Sequence, residues 1–247
     1  SYYGKATKIL KKDTEYADKV LNARKRLVPS QVGEDGTLQE WMEDFGQLED
    51  KHRHFSHMYG LFPGNVLSTT KTPELIDPIK AVLKQRGDGG TGFSRAWKMA
   101  LWARLSDGNR ANSIYKGYLQ EQCYLSLFAK CYTPLQVDGT LGVTAAISEM
   151  LVQSHEDVIQ LLPALPKEWD SGRFKGVCTR GAFELDMMWE NNAIKTVEVL
   201  SKAGKKCKIS TDKNPQIFAD GKQIQVKENN GFIEFPTEKG KIYTLEY

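Results

Sequence analysis

Apolar positions recur along this chain at two spacings, and the change from one to the other happens once. In the first part the period is helical. Val143, Ala146, Ile147, Met150 and Leu151 follow the i, i+3, i+4, i+7, i+8 pattern and predict a helix over about 141–154. Trp97, Leu101 and Leu105 recur every four residues beside Ala96, Ala100 and Ala103, which predicts a helix with a broad buried face, capped by Ser94. Another long helix is expected over about 110–130. An earlier one should run from the Asp13-Thr14 cap to about Leu27. It stops before Val28-Pro29 because a residue preceding proline avoids the helical basin.

After Leu161-Leu-Pro-Ala-Leu-Pro166 the period becomes two. Phe183, Leu185, Met187 and Trp189 alternate with Glu184, Asp186 and Met188, and Val197 and Val199 continue the alternation beyond a turn at Asn191-Asn192. Asp220-Gly221, Asn230-Gly231 and Lys239-Gly240 follow at hairpin spacing. The pattern predicts an α+β multidomain chain, with a helical block over 1–155 and a small antiparallel β-domain over 156–247. The double-proline segment reads as a packed connector. Long glycine-rich connections over 31–64, 87–92 and 132–142 separate the helices, and such loops usually carry function. Helices as scaffold with loops at one end are the sequence pattern of an (α/α) toroid.

With 247 residues the chain can bury one large core or two modest ones. Its 34 lysines and arginines face 31 acids with both signs interspersed, unlike the basic stripe of a nucleic-acid binder, so no nucleic-acid partner is expected. No apolar run approaches the roughly 20 residues that span a bilayer, so no membrane partner is expected either. Cys123, Cys131, Cys178 and Cys207 are scattered without a Cys-x-x-Cys pair and read as buried thiols, with room for one chance disulfide. No signal-peptide pattern opens the chain, and it begins with Ser1 instead of methionine. A processed piece or part of a longer protein is the expectation.

The densest chemistry lies over 38–64. Three of the four histidines (His52, His54 and His57) fall there with Arg53 and five carboxylates, among apolar anchors Trp41, Phe45, Met58, Tyr59 and Leu61. Aromatic faces for a sugar ring, with imidazole and guanidinium donors for its hydroxyls, are what a carbohydrate pocket needs. The same residues leave two other readings open: structural hydrogen bonding, or a zinc site on His-x-His-x-x-His, against which stand the absence of nearby cysteine and the presence of Arg53. Asp138, followed by Gly139 and preceding the strongest helix, is either a turn aspartate or a carboxylate poised to orient a water. Trp97 and Lys98 could reach the pocket mouth, although Trp97 fits the core equally well. Glu40 and Asp138 could be proposed as the two carboxylates a glycosidase needs, a pairing that spacing alone does not test.

Leu38-Gln-Glu-Trp-Met-Glu-Asp, His52-Arg-His-Phe-Ser-His-Met-Tyr-Gly-Leu-Phe-Pro-Gly64, Thr91-Gly-Phe-Ser-Arg-Ala-Trp-Lys98, Trp102-Ala-Arg-Leu, Gln136-Val-Asp-Gly139, the run to Glu149-Met-Leu and Leu161-Leu-Pro-Ala-Leu-Pro166 together resemble glycoside hydrolase family 95. The motifs arrive in family order over roughly residues 5–200. The resemblance implies the second half of an (α/α)6 toroid followed by the family's terminal β-sandwich. It also implies an inverting exo-glycosidase acting on terminal α-L-fucose, or α-L-galactose, of a fucosylated oligosaccharide or glycan, without a cofactor or metal.

Residue by residue, the resemblance aligns Arg53 and His54 with a sugar-contacting pair, and Trp97 and Lys98 join the substrate-binding candidates from their reach to the pocket mouth. It makes Asp138 the aspartate that helps activate the hydrolytic water with two asparagines. Glu40, His52 and His57 then support the contacts from behind. The general-acid glutamate and the asparagines are expected upstream of Ser1, in the other half of the same barrel, so the isolated chain is expected to be inactive. The family pattern also implies a periplasmic or extracellular setting. Two departures stand out: Cys131-Tyr-Thr-Pro-Leu-Gln136 replaces His-Pro-Pro-Phe-Gln, and Gly139-Thr-Leu-Gly142 replaces Gly-Asn-Phe-Gly. A non-catalytic carbohydrate-binding or interaction module is the alternative from another class.

Overall fold

The computed structural model describes the chain except Ser1, residues 47–51, Thr211, Asp212 and Asn230. Its organising element is a helix that can afford almost no solvent contact. Small and apolar residues on every side of the 92–104 segment let neighbours approach all round, and eleven of its thirteen residues are buried. Among the described residues the helices are α1 (Tyr2–Leu10), α2 (Thr14–Arg24), α3 (Ile76–Arg86), this central α4 (Gly92–Arg104), α5 (Gly108–Glu121) and α6 (Val137–Leu151). None is long and apolar enough to cross a membrane.

Helix α4 packs against both α5 and α6. Met99, Leu101 and Ala103 meet Ile79, Val82 and Leu83 of α3, Ile114 and Tyr118 of α5, Ala146 and Met150 of α6, and Phe55, Met58 and Leu61 around a 3-10 turn at Ser56–Gly60. Of the three buried cations on α4, the two arginines each have a fixed anion. Arg95 pairs with Glu121 at the end of α5, and Arg104 holds Glu149 of α6 through Nε at 2.6 Å and Nη2 at 3.1 Å. At their amino ends α4 and α6 meet backbone to backbone. A Cβ on Gly92 would lie 2.7 Å from the Ala129 Cβ, and one on Gly139 would lie 2.8 Å from the Phe93 nitrogen. Only glycine fits either position.

The strands are β1 (Ala129–Lys130), β2 (Leu135–Gln136), β3 (Val152–Gln153), β4 (Ile159–Leu161), β5 (Gly172–Thr179), β6 (Phe183–Glu190), β7 (Ala193–Ser201), β8 (Cys207–Ser210), β9 (Gln216–Ala219), β10 (Lys222–Gln223), β11 (Lys227–Asn229), β12 (Phe232–Phe235) and β13 (Ile242–Glu246). They make a β1–β2 hairpin, a six-stranded sheet β10-β9-β13-β7-β6-β5 and a five-stranded sheet β11-β12-β8-β4-β3. Phe183, Leu185, Met187, Trp189, Val197 and Val199 of one sheet and Val152, Ile159, Cys207, Ile209, Ile233 and Phe235 of the other form a second buried cluster. The alternation read from the sequence therefore holds, and the Asn191-Asn192 turn has both φ values positive, as a two-residue hairpin turn needs. Asn230 of the Asn230-Gly231 turn lies outside the described residues.

Several expectations are corrected. Ser94 is not a cap: α4 begins at Gly92 after Thr91, and the Ser94 side chain is used elsewhere. Helix α5 starts at Gly108, where the Asp107 side chain caps the Arg110 nitrogen at 2.9 Å, and it ends nine residues before 130. There the chain reverses through Leu127 at positive φ, so that Cys123 bridges Ala129 and the Lys130 nitrogen reaches the Gln122 carbonyl. Helix α2 ends at Arg24. Helix α6 begins at Val137, which moves Asp138 from a preceding loop into the first turn, and it ends at Leu151 because Val152-Gln153 pairs with β4. The sheets are antiparallel except for one pair, β4 with β8, which runs parallel. The four cysteines are free thiols, and of them Cys207 alone is buried.

The proline-rich connector is packed. A Cβ on Gly108 would strike the Ala164 carbonyl at 2.1 Å, the Leu162 and Ala164 nitrogens donate to Leu151 and Met150, and the Lys167 nitrogen donates to the Asn109 side chain.

Candidate functional site

The segment 52–54 presents Arg53 and His54 to solvent, and its backbone is held from inside. Ile79, Val82, Leu83 and Arg86 share the buried stripe of α3, so an arginine occupies a core position. Its side chain is 1% exposed. Arg86 Nη1 donates to the His52 carbonyl at 3.0 Å and the His54 carbonyl at 2.8 Å, and Nη2 donates to Glu40 Oε2 at 2.8 Å. The carbonyl between them, on Arg53, accepts from Ser94 Oγ at 3.0 Å. Three consecutive carbonyls are thus tied to α3 and α4.

The other residues singled out from the sequence lie at different depths. The His57 side chain is 4% exposed and 3.7 Å from Glu40 Oε2. Burial pushes its pKa down to about 4, against the pull of Glu40, so the neutral ring leaves that carboxylate paired with Arg86. His52 and His54 stand edge to face at 5.2 Å, and the His54 N–H donates to His52 Nδ1 at 3.2 Å. Desolvation, then Arg53 and His52, lower the His54 pKa.

Trp97 stacks on Phe55 at 4.8 Å, and its Nε1 donates to the Phe62 carbonyl at 2.8 Å. Lys98 is 2% exposed. Its ammonium donates to the Gly89 carbonyl at 2.8 Å and lies 5.7 Å from the centre of the Phe55 ring, and burial brings its pKa down to about 8. Both side chains underlie the 52–54 wall instead of standing on it. Trp41, Phe45 and Tyr59 are exposed aromatics, whereas Met58 and Leu61 are core. Among the described residues no group of three or more His, Cys, Asp or Glu side chains gathers as a metal site.

Asp138 is exposed in the first turn of α6, where the helix amino end favours a carboxylate, and its Oδ1 accepts from the Gly139 nitrogen at 2.9 Å. The turn is fixed by its neighbours. The Gln136 side chain accepts from the Phe93 nitrogen at 3.0 Å, and Thr140 Oγ1 accepts from the Ala129 nitrogen at 2.8 Å. Consecutive residues of α4 therefore reach both features, Phe93 the Asp138 turn and Ser94 the Arg53 carbonyl. Arg86 was not singled out from the sequence, and Ser94 was read only as a helix cap. The readable signal was a charged residue at a core position of the α3 stripe.

Residues 1–151 match the model of the glycosyl hydrolase family 95 catalytic domain, and residues 153–245 match that of the glycoside hydrolase family 95 C-terminal domain. The chain is 40% identical over 188 residues to alpha-L-fucosidase 2 of Arabidopsis thaliana, an alignment covering 71% of this chain and 22% of the relative. It is 28% identical over 204 residues to a probable alpha-fucosidase A of Aspergillus niger, covering 74% and 26%. A probable alpha-fucosidase A of Aspergillus oryzae is 29% identical over 190 residues, covering 66% and 26%. The chain thus spans 22–26% of the length of these curated relatives.

Proposed function

The chain belongs to glycoside hydrolase family 95, and on that premise we propose that it supplies the sugar-contacting wall and the water-activating carboxylate of an inverting exo-glycosidase. The substrate is a terminal α-L-fucose, or the closely related α-L-galactose, on an oligosaccharide or glycan. The relatives named as fucosidases support the sugar, and the first turn of α4 carries the argument for the site. That turn binds the Arg53 segment through Ser94 and the Asp138 segment through Phe93, so a sugar donor pair and an exposed carboxylate are held by one rigid element.

In this reading Arg53 grips sugar hydroxyls with its planar fork and His54 donates or accepts beside it. Asp138 polarises the groups that hold the attacking water, and a glutamate from an upstream segment protonates the leaving oxygen from the opposite face. An inverting pair needs roughly 6.5–9.5 Å between carboxyl groups to leave room for that water. Trp97 and Lys98 serve as the base of the wall, and Glu40, His52 and His57 support it.

We read residues 1–155 as the second half of an (α/α)6 toroid and 156–247 as a β-sandwich, with β3 added to the five-stranded sheet from the helical side. The upstream half of the barrel covers apolar side chains that stand in solvent here, among them Leu125, Leu127 and Tyr132, which are 105%, 69% and 74% exposed. We place the whole protein in the periplasm or outside the cell, where such glycans are accessible.

The deciding experiment is Asp138→Asn in the full-length protein. We expect kcat for a fucosyl substrate to fall by about 100-fold or more, the scale of a lost general acid–base group, with the thermal midpoint unchanged. An unchanged kcat would leave Asp138 as a helix-terminus aspartate and overturn the assignment.

A further inference from the structure

Backbone carbonyls let a segment be gripped without touching its side chains, and those of His52, Arg53 and His54 are all gripped here. Arg86 takes the first and third with one nitrogen, and Ser94 takes the second. Arg86 is in turn held by Glu40 and is almost wholly inside the protein, and Ser94 is 2% exposed. We propose that Arg86 and Ser94 are positioning residues for sugar binding: they fix the backbone of 52–54 so that Arg53 and His54 project into the pocket in one conformation. The inference rests on the reading of Arg53 and His54 as the sugar-contacting pair.

The physical argument is one of preorganisation. Residues 52–54 belong to a long connection, and an exposed arginine has high rotamer freedom that binding must quench. A buried guanidinium spends its rigidity on the backbone of its neighbours: its planar fork can serve Glu40 and two carbonyls at once, which an ammonium cannot reproduce. Arg86 also receives support in return, since its own carbonyl accepts from Lys98 Nζ at 3.4 Å. Loss of positioning should therefore weaken ground-state binding of the sugar. The rate of the chemical step, which depends on the Asp138 turn and its own tie to the Phe93 nitrogen, should be far less affected.

The test is steady-state kinetics of the full-length protein on an α-L-fucosyl-(1→2)-galactoside, with Arg53→Ala as reference. Ser94→Ala removes one hydroxyl from a site that alanine fills, and Arg86→Lys keeps the charge without the fork. We expect KM to rise about tenfold in Ser94→Ala and further in Arg86→Lys, with kcat within about twofold. Thermal midpoints establish that each variant folds. If Arg86→Lys does not fold, Ser94→Ala decides alone. Folded variants with wild-type KM, beside an Arg53→Ala whose KM rises, overturn the positioning role and leave the sugar wall standing. An Arg53→Ala with wild-type KM overturns the sugar wall itself, and this inference with it.

Discussion

The side chains of His57 and His155 are both enclosed, one beside Glu40 and Arg86 and the other beside Arg104 and Glu156, and both are held uncharged. Burial is the first cause in each case. At His57 burial outweighs the opposing pull of Glu40, with a lesser push from Arg86; at His155 Arg104 adds to burial against a smaller pull from Glu156, and both pKa values fall to about 4. A depressed histidine takes up its proton in the unfolded chain before it does in the folded one. The unfolded state therefore binds more protons between about pH 6.5 and pH 4, and stability is lost as pH falls through that window. We expect a loss of roughly 3 kcal/mol for each histidine by pH 4. Chemical denaturation of the wild type, His57→Gln and His155→Gln between pH 7 and 4 checks it, since each variant should lose its share of the slope. An unchanged slope would mean that these rings are protonated in the folded protein. The chemical identity of the 52–57 cluster was legible in the sequence because histidines and arginine are costly to place among apolar anchors. Which carbonyls Arg86 and Ser94 serve was not legible, since those partners lie 32, 34 and 41 residues away.

At the scale of elements, α6 and the β6–β7 hairpin were readable because their apolar stripes are local and uninterrupted. The end of α5 and the parallel β4–β8 pair were not. A three-residue strand carries no periodicity, and its partner is fixed by the second core. The junction of α4 and α6 yields a prediction of its own. Gly139 has no room for a side chain, because the obstacle is the Phe93 backbone nitrogen and backbone cannot rotate away. Gly139→Ala should destabilise the protein by about 1–3 kcal/mol, as overpacking of a tight contact does. A thermal midpoint within one degree of wild type, an interval smaller than a shift of about 1 kcal/mol would produce, would show that the two helix ends can part without cost.

For the whole molecule, the length comparison with the relatives matters most. The 247-residue chain carries an exposed carboxylate and an exposed donor pair, and its apolar surface around 125–141 is uncovered. The purified chain alone is expected to show no turnover of an α-L-fucoside. Detectable turnover by pure material would mean that a proton donor within these residues suffices, and would remove the need for an upstream glutamate. The two cores are joined by hydrogen bonds as well as by chain. Asn65 donates to the His155 carbonyl at 3.0 Å, Thr70 to Glu156 at 2.7 Å, and Gln153 to the Ala103 carbonyl at 2.8 Å. None of these was readable from periodicity, because each joins a loop or a helix end to β3 or to the turn that follows it.

Helix α6 passes into β3 without an intervening residue, Leu151 closing one and Val152 opening the other. Asp138 rides in the first turn of that helix and the five-stranded sheet grips its last residue, so α6 is a lever arm with the candidate carboxylate at its tip. Fifteen residues make an arm of about 22 Å. A tilt of about 3° at the sheet would swing the tip by about 1 Å, enough to cost an active site on the order of 100-fold in rate. On the proposed reading of Asp138, the seating of the sheet at one end of α6 and the α4 contact at the other together set a mechanical tolerance on the chemistry.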